Sequence, residues 1–349
     1  MKLFEITQTS ETQPQSANAV VVEWMKKQRI GVKRYKINPN GSVDITGDFN
    51  ISNITDNKLP FVVNSVSGTV AYQTHTPTLT TLEGFPTEVG GDLTIWNCTN
   101  IDLTHLPHKV GGQMYISQLN ETFENAVIDY CGDAAISNYT ASTLKGMPKY
   151  VEKDCSLSSC NLDNLTGAPP HVGGMFHISG GKVKSLDGLS TYVGGGLMIW
   201  HGGFPEELGT MGTIHGDISM QCNNLKDLTG LPSHVTGNLQ LEGVKSLTGF
   251  PSKIDGCVNI YLEDNVSTSN LHKRFEMKGR LTLNNPVGRA LLSIPKIRGI
   301  TSVQFTGYTG DTNIKKLEAV INSCIGNDID IHEMQDRLID SGFYKEARL

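Results

Sequence analysis

The chain has 349 residues, with 29 Lys and Arg against 35 Asp and Glu, which gives a formal net charge of −6. This balance excludes a globally basic nucleic-acid binder, and the hydrophobic share of 38% is enough to bury a core. No apolar run reaches the roughly 20 residues of a membrane-spanning helix, and the first residues lack the apolar core of a signal peptide. We therefore expect a protein of the cytoplasm, without a membrane or a nucleic acid as partner.

The N-terminal segment precedes the regular part of the sequence and predicts a short helix. Residues 16–29 place Val21, Trp24 and Met25 on one side of an amphipathic helix. We interpret residues 1–40 as an N-terminal arm with a helical cap.

From residue 41 to residue 310 the sequence is a repeat with a period of 19–23 residues. Each copy has an anchor residue, nearly always glycine, followed two and four positions later by apolar side chains. Apolar residues at alternate positions predict a short strand with one buried face in every copy. The anchors are Gly47, Gly68, Gly91, Gly112, Gly132, Lys153, Gly174, Gly195, Gly216, Gly237, Gly256 and Gly279, and a degenerate copy follows at Val303 and Phe305.

The other half of each copy reads Leu-x-x-Leu-x-Gly-x-Pro-x-x-Val, as in residues 79–89, 162–172 and 225–235. Its Gly and Pro turn the chain, and its Leu and Val point inward. Because a single coil of this kind cannot bury its own apolar face, the coils must stack and their strands must join into a long parallel sheet. The predicted inward ladder of this sheet contains Ile95, Ile116, Ile178, Ile199, Leu241 and Ile260.

The full coil, Leu-x-x-Leu-x-Gly-x-Pro-x-x-Val-Gly-Gly-(Asp)-Leu-x-Ile-x-x-Asn/Cys, resembles the short leucine-rich-repeat units of proteins encoded by tailed bacteriophages. It is similar, more distantly, to the repeats of type III secretion effectors. The resemblance implies a mainly β, leucine-rich-repeat-like solenoid of about thirteen coils with one long parallel sheet and short helical caps at both termini. Its Gly-Pro turns leave no room for a regular helix on the convex side. It also implies a ladder of side chains that hydrogen-bond turn backbone, here Cys98, Cys160, Cys222, Asn53, Asn138 and Asn223.

Beyond the repeats the sequence changes to helical spacing. Residues 312–325 and 331–339 predict two helices. The candidate N-cap of the first helix is Asp311 or Thr312, and that of the second helix is Asp330. Gly342 follows the second helix as a stop. We interpret residues 311–349 as a C-terminal two-helix cap that covers the apolar end of the last coil. Residues 269–277 predict a further helical insertion on one turn.

The sequence contains none of the common catalytic or nucleotide-binding motifs, and we assign no catalytic residue. Cys155, Cys160 and His171 could meet across a turn as metal ligands, but Cys155 occupies an inward strand position, so we assign no metal and no cofactor. A row of aspartates follows the anchors by one residue. Turn capping is favoured over catalysis for this row, because interrupted copies space the charges apart. The row is Asp48, Asp92, Asp133, Asp154 and Asp217, in which Asp133 and Asp154 are the one adjacent pair.

Side chains three and five residues after the anchor face away from the core and form two columns along the sheet. Most of them are small. Six larger ones stand out and are the predicted binding residues: Trp96, Tyr115, His177, Met198, Trp200 and Tyr261. Exposed aromatic side chains are enriched at interface hot spots. The alternative is that loops or the N-terminal helix cover these rings.

These features predict a non-enzymatic protein–protein interaction scaffold. The resemblance implies that it is phage-encoded and virion-associated, as a structural or adsorption component whose partner is another virion component. Two alternatives stay open. One is a soluble phage protein that binds and modulates a host protein in the cytoplasm of the infected bacterium, and the other is a carbohydrate-binding or carbohydrate-cleaving β-solenoid. The sequence is compatible with an oligomer and does not define one.

Overall fold

The residues that the computed structural model describes are 14–97, 99–202, 205–307 and 312–348. The structure confirms the predicted mainly β fold, a β-solenoid of about 12 turns with parallel strands. Three α-helices occur among the described residues, mostly at the chain ends. Contacts divide the chain into two compact units, Met1–Gly132 (unit 1) and Asp133–Leu349 (unit 2).

The described part of unit 1 has a helix first and continues as coils that each contain a short strand followed by a main strand. Helix α1 spans Pro14–Lys27, and a 3-10 turn spans Val32–Arg34. The strands are β1 (Tyr35–Ile37), β2 (Val43–Ile45), β3 (Phe49–Asn50), β4 (Val63–Val66), β5 (Val70–Gln73), β6 (Glu88–Val89), β7 (Leu93–Trp96) and β8 (Lys109–Leu119). In β8 the short and the main strand are continuous.

The main strands of unit 1 stack in parallel, with β3 on β5, β5 on β7 and β7 on the middle of β8. This register places Tyr72, Ile95 and Ile116 in one inward column, and all three are fully buried. The short strands stack in the same way, from β2 through β4 and β6 to β8. Strand β1 lies antiparallel to β2 at the start of the stack.

Unit 2 repeats the same coil and ends in two helices. Strand β9 (Tyr130–Tyr139) crosses the boundary between the units. The following strands are β10 (Tyr150–Val151), β11 (Cys155–Ser158), β12 (Asn161–Leu162), β13 (His171–Val172), β14 (Met175–Ser179), β15 (Lys182–Val183), β16 (Tyr192–Val193), β17 (Gly196–Trp200), β18 (Thr213–Ile214), β19 (Asp217–Gln221), β20 (His234–Val235), β21 (Leu239–Val244), β22 (Lys253–Ile254), β23 (Val258–Leu262), β24 (Glu276–Met277), β25 (Gly279–Asn284) and β26 (Ile300–Thr306). The helices are α2 (Thr312–Cys324) and α3 (Ile331–Asp340), and 3-10 turns span Leu271–Lys273 and Ile294–Lys296.

The main strands of unit 2 form a parallel stack in the order β9, β11, β14, β17, β19, β21, β23, β25 and β26. Their inward column includes Ile178, Ile199, Leu241 and Ile260, each at most 1% exposed. The prediction that the inward ladder is buried is therefore confirmed in both units.

Glycine pairs at the corner between a short and a main strand let neighbouring coils approach closely. A Cβ atom at Gly111 would lie 2.3 Å from the carbonyl oxygen of Gly90, and one at Gly194 would lie 2.2 Å from that of Gly173. Real Cβ atoms do not approach a backbone oxygen so closely. At Gly111 and Gly194 glycine is therefore a steric requirement of the observed backbone approach.

Helix α1 packs its apolar side on the first coils of unit 1. Val21, Trp24 and Met25 are buried, as predicted. The Trp24 ring centroid lies 5.9 Å from that of Phe49 and 5.3 Å from that of Phe61. The helix begins and ends two residues earlier than predicted.

Helix α2 covers the edge of β26 with side chains that take the place of a further strand. The Asn322 amide accepts from the Val303 N–H at 2.7 Å and donates to the Val303 carbonyl at 2.9 Å. The Glu318 carboxylate accepts from the Phe305 N–H at 2.8 Å. Backbone groups that a neighbouring strand would otherwise satisfy are thus paired.

The two predicted C-terminal helices are confirmed, and each ends within one residue of the predicted position. Asp330 is the N-cap of α3, since its carboxylate accepts from the His332 N–H at 2.9 Å. The alternative cap residue of α2, Asp311, lies outside the described residues.

The segment 269–277 contains one short helical element, the 3-10 turn Leu271–Lys273, so the predicted helical insertion is confirmed only in part. The turn follows Asn270, which lies in the left-handed region at φ 57°. The chain then returns to the coil, because Met277 is buried and β24 pairs in parallel with β22.

The expected ladder of Cys and Asn side chains is present only in part. Cys160 and Cys222 are buried, and their thiols donate weakly to backbone carbonyls. The asparagine part of the prediction is wrong, since these residues are exposed: Asn53, Asn138 and Asn223. Asn138 adopts φ 52° in the turn that ends β9, a left-handed conformation that asparagine tolerates better than most residues. Cys98 lies outside the described residues.

Candidate functional site

The outward columns of the main strands carry the six predicted binding residues. All six are partly exposed. Trp96 and Tyr115 belong to unit 1, and the other four belong to unit 2. Each of these side chains is therefore partly accessible to solvent.

In unit 1 the two predicted aromatic residues lie on neighbouring strands. Thr94 of β7 pairs with Tyr115 of β8, so Trp96 and Tyr115 occupy different outward columns. His75 packs edge-on against Trp96, with ring centroids 4.7 Å apart. This contact holds the indole against the turn that follows β5.

In unit 2 three of the predicted residues form one cluster, which we name the aromatic patch: His177, Met198 and Trp200. His177 of β14 pairs directly with Met198 of β17, and Trp200 follows two residues later on β17. The indole N–H of Trp200 donates to the Ser219 hydroxyl at 3.0 Å. The aromatic patch is therefore preorganised on rigid strands.

The strand before the aromatic patch has only small outward side chains. Ser156 of β11 pairs with His177, and Ser158 pairs with Ser179. The hydroxyls of Ser158 and Ser179 lie 3.1 Å apart, within hydrogen-bond distance. The bulky side chains of the aromatic patch therefore lie beside a strip of small serine side chains.

The aromatic patch carries no formal charge at neutral pH. Burial, and after it the charge of His201, lower the pKa of His177. Since a lower pKa favours the neutral imidazole, His177 presents an uncharged ring beside Met198 and Trp200.

A second group of outward side chains lies two main strands beyond β17, and we name it the polar patch: Gln240, Glu242, Asn259 and Tyr261. Gln240 pairs with Asn259, and Glu242 pairs with Tyr261, across β21 and β23. All four side chains are partly exposed. Beside Tyr261 lies a surface cavity of ≈ 380 Å³ whose other lining residues are Asn284, Asn285, Thr306 and Gly307.

The aspartates that follow the anchors accept from backbone N–H groups of the next coil. Asp92 accepts from the N–H of Gln113 at 2.8 Å, and Asp154 accepts from that of Met175 at 2.8 Å. Asp133 accepts from the backbone N–H of Asp154 at 3.2 Å. These contacts are the turn capping that the spacing of the row favours.

The three residues considered as metal ligands have other surroundings. Cys155 and Cys160 are buried, and burial raises the pKa of Cys160 to about 11. His171 lies on the short strand β13, between the rings of Tyr150 and Tyr192. Within the described ranges, no group of three or more His, Cys, Asp or Glu side chains is placed to hold a metal ion.

Sequence reasoning misses a ladder of aromatic rings on the short strands of unit 2. Tyr150, His171 and Tyr192 stack nearly parallel with centroids 4.4 and 4.6 Å apart, and His215 lies 5.2 Å from Tyr192. The signal is present in the sequence, since the first three residues each precede the valine of a short strand. Because the ring faces contact one another, we interpret the ladder as stabilising.

Comparisons with protein-family models, curated proteins and solved structures find no match to this chain. Of the helices that the structure describes, none has the length and apolar character needed to cross a membrane. We name the surface formed by the outward side chains of the main strands the main-strand face, and it contains all six predicted binding residues.

Proposed function

We propose that the protein is a non-enzymatic protein–protein interaction scaffold with the aromatic patch at the centre of its interface. The observation that carries the proposal is the placement of Met198 and Trp200 on one strand, partly exposed, with the indole fixed by Ser219. Tryptophan is enriched among the residues that dominate interface energies. Neutral His177 adds ring surface without a charge that binding would have to desolvate.

The proposal extends to a phage-encoded, virion-associated protein that acts as a structural or adsorption component. Its support is the resemblance of the coil to the short leucine-rich-repeat units of phage proteins. The partner is then another virion protein, and the alternative partner is a host protein in the infected bacterial cytoplasm. Mass spectrometry of purified particles separates the two, because only the first requires the protein in the particle.

A carbohydrate-cleaving role has less support. Glycoside hydrolysis needs two carboxyl groups that flank the scissile bond. The one adjacent acid pair, Asp133 and Asp154, accepts from backbone N–H groups of the following coil. We therefore propose no catalytic residue.

The test of the interface is the double substitution Met198→Ala with Trp200→Ala in tagged protein used to capture partners from infected cells or dissociated particles. Binding to the captured partner should weaken at least about thirtyfold, because a desolvated tryptophan contributes about 2 kcal/mol or more. The substitutions remove no inward contact, so the melting temperature should change little.

Tyr344→Ala is the matched control, because it removes a ring that is 69% exposed and lies outside the main-strand face. The control should bind the partner as strongly as the unmodified protein. Undiminished binding by the double variant would contradict the proposed interface.

A further inference from the structure

We propose that the polar patch and the cavity beside Tyr261 bind a neutral saccharide chain, at a site separate from the aromatic patch. This site is independent of the protein partner discussed above. It consists of outward side chains on β21, β23 and β25 and of the cavity between them and the end of β26.

The pairing of the strands brings the four side chains of the polar patch into one small area. Gln240 and Asn259 are direct cross-strand neighbours, as are Glu242 and Tyr261. Adjacent strands lie about 4.8 Å apart, so one ligand can contact both pairs at once. The cavity extends this area from the ring of Tyr261 toward Thr306.

Three side chains of the polar patch keep their hydrogen-bonding capacity for a ligand. Among the described residues, the amides of Gln240 and Asn259 and the hydroxyl of Tyr261 have no side-chain hydrogen bond. The amide oxygen of Asn259 is also shielded from solvent. If this amide turns toward a ligand, no internal hydrogen bond is broken. The ligand would then give the amide oxygen the hydrogen bond that it lacks in the free protein, and a buried oxygen without a partner is energetically costly. At the cavity, the hydroxyl of Thr306 is shielded and unpaired in the same way.

The charge of the polar patch selects against acidic ligands. The outward side chains of β19, β21, β23 and β25 are Asp217, Ser219, Gln221, Gln240, Glu242, Asn259, Tyr261, Arg280, Thr282 and Asn284. Asp217 and Arg280 lie near the starts of their strands, and within the polar patch only Glu242 is charged. Its carboxylate accepts from the Gln221 amide at 3.2 Å. A ligand that fits the polar patch carries no negative charge and is rich in hydroxyl groups.

A saccharide has the complementary chemistry. The C–H face of a sugar ring packs on an aromatic ring such as Tyr261, and its hydroxyls donate and accept as the amides of Gln240 and Asn259 do. A nucleic acid would need cationic side chains here, and an apolar protein anchor would leave the free amides unpaired. The cavity of ≈ 380 Å³ falls within the ~300–1,000 Å³ range of ligand sites.

The experiment is affinity electrophoresis of the full chain in native gels that contain soluble polysaccharides. Dextran, soluble starch and galactomannan are the neutral probes, and alginate is the acidic probe. At least one neutral polysaccharide should retard the protein, whereas alginate should not, since Glu242 repels its carboxylates. Titration calorimetry with oligosaccharides of the retarding polymer then gives the Kd.

Tyr261→Ala should weaken saccharide binding at least tenfold. The double variant Gln240→Ala with Asn259→Ala should also bind saccharide at least tenfold more weakly, although it retains the ring of Tyr261. The test therefore does not depend on a single substitution. Two controls should bind saccharide normally: Tyr344→Ala, and the variant that lacks the side chains of Met198 and Trp200. The last control separates this site from the proposed protein interface.

Three results would overturn the proposal: no retardation by any neutral probe, unchanged retardation of Tyr261→Ala, or a preference for alginate. If Tyr261→Ala instead weakens the captured protein partner while no saccharide binds, the polar patch belongs to the protein interface and the saccharide site is wrong.

Discussion

Inward positions of a stacked coil leave no room for a charge. Ile199 is fully buried on β17, and its cross-strand neighbours are Ile178 and Met220. None of these neighbours offers a polar group to a carboxylate. A charge at this position would therefore lose its hydration without compensation.

Ile199→Asp is expected to lower the free energy of unfolding by at least about 3 kcal/mol. The matched control is Met198→Asp, which places the same carboxylate on the same strand but on its partly exposed face. Thermal and urea denaturation of both variants measure the difference. Equal losses in the two variants would contradict the assignment of the inward ladder.

Candidate site residues can be found in the sequence only where they differ from their neighbours. Trp200 is conspicuous because the outward positions before it are mostly small, and the structure does place it on the accessible face. Gln240 and Asn259 look like ordinary solvent-facing residues in the sequence. Their importance depends on the register that pairs them and on their lack of internal hydrogen bonds, which no single coil reveals.

At the scale of the coil, glycine sets the distance between neighbouring turns. Gly194 lies at the corner between β16 and β17, and its backbone is in close contact with the carbonyl of Gly173. Any side chain here must push two coils apart over the adjoining strands. The effect belongs to the stack rather than to one residue.

Gly194→Ala is expected to destabilise the protein by about 1–3 kcal/mol, as overpacking does in a close-packed interior. Gly31→Ala is the control, because Gly31 has φ −67° and a Cβ atom added there would meet nothing within 4 Å. In urea denaturation the midpoint should fall for Gly194→Ala and should stay almost unchanged for Gly31→Ala. A midpoint for Gly194→Ala equal to that of the control would contradict the close approach.

The elements differ in how well the sequence predicts them. Main strands are predictable because alternate apolar residues, as in β7 and β17, recur at a nearly constant period. The short strands are missed, since a two-residue strand such as β13 has one inward valine and no alternation to detect. The segment 269–277 has apolar residues at helical spacing, but tertiary pairing of β24 with β22 overrides that local pattern.

At the scale of the whole molecule, a stack of parallel strands needs protection where it begins and ends. In unit 1, β1 lies antiparallel to β2, and Trp24 of α1 packs on Phe49. In unit 2, Asn322 and Glu318 of α2 pair with the backbone of β26. Both arrangements cover edges that would otherwise be open to strand addition by another chain.

Deletion of residues 311–349 is expected to cause aggregation, because it uncovers Val303 and Phe305 and leaves the N–H groups of β26 unpaired. Static light scattering across a concentration series measures this. The double variant Asn322→Ala with Glu318→Ala is the milder comparison, since Leu317 and other buried residues of α2 still cover the last coil.

That double variant should stay monomeric at low concentration and lose about 2 kcal/mol of stability, because three hydrogen bonds to β26 disappear at a net value of about 1 kcal/mol or less each. The loss of stability in this variant measures the contribution of the hydrogen bonds to β26, apart from that of the apolar side chains of α2. A truncated protein that remains monomeric at high concentration would show that β26 needs neither. The C-terminal helices would then be better explained as an arm that binds a partner, because their apolar side chains would serve no purpose in the solenoid itself.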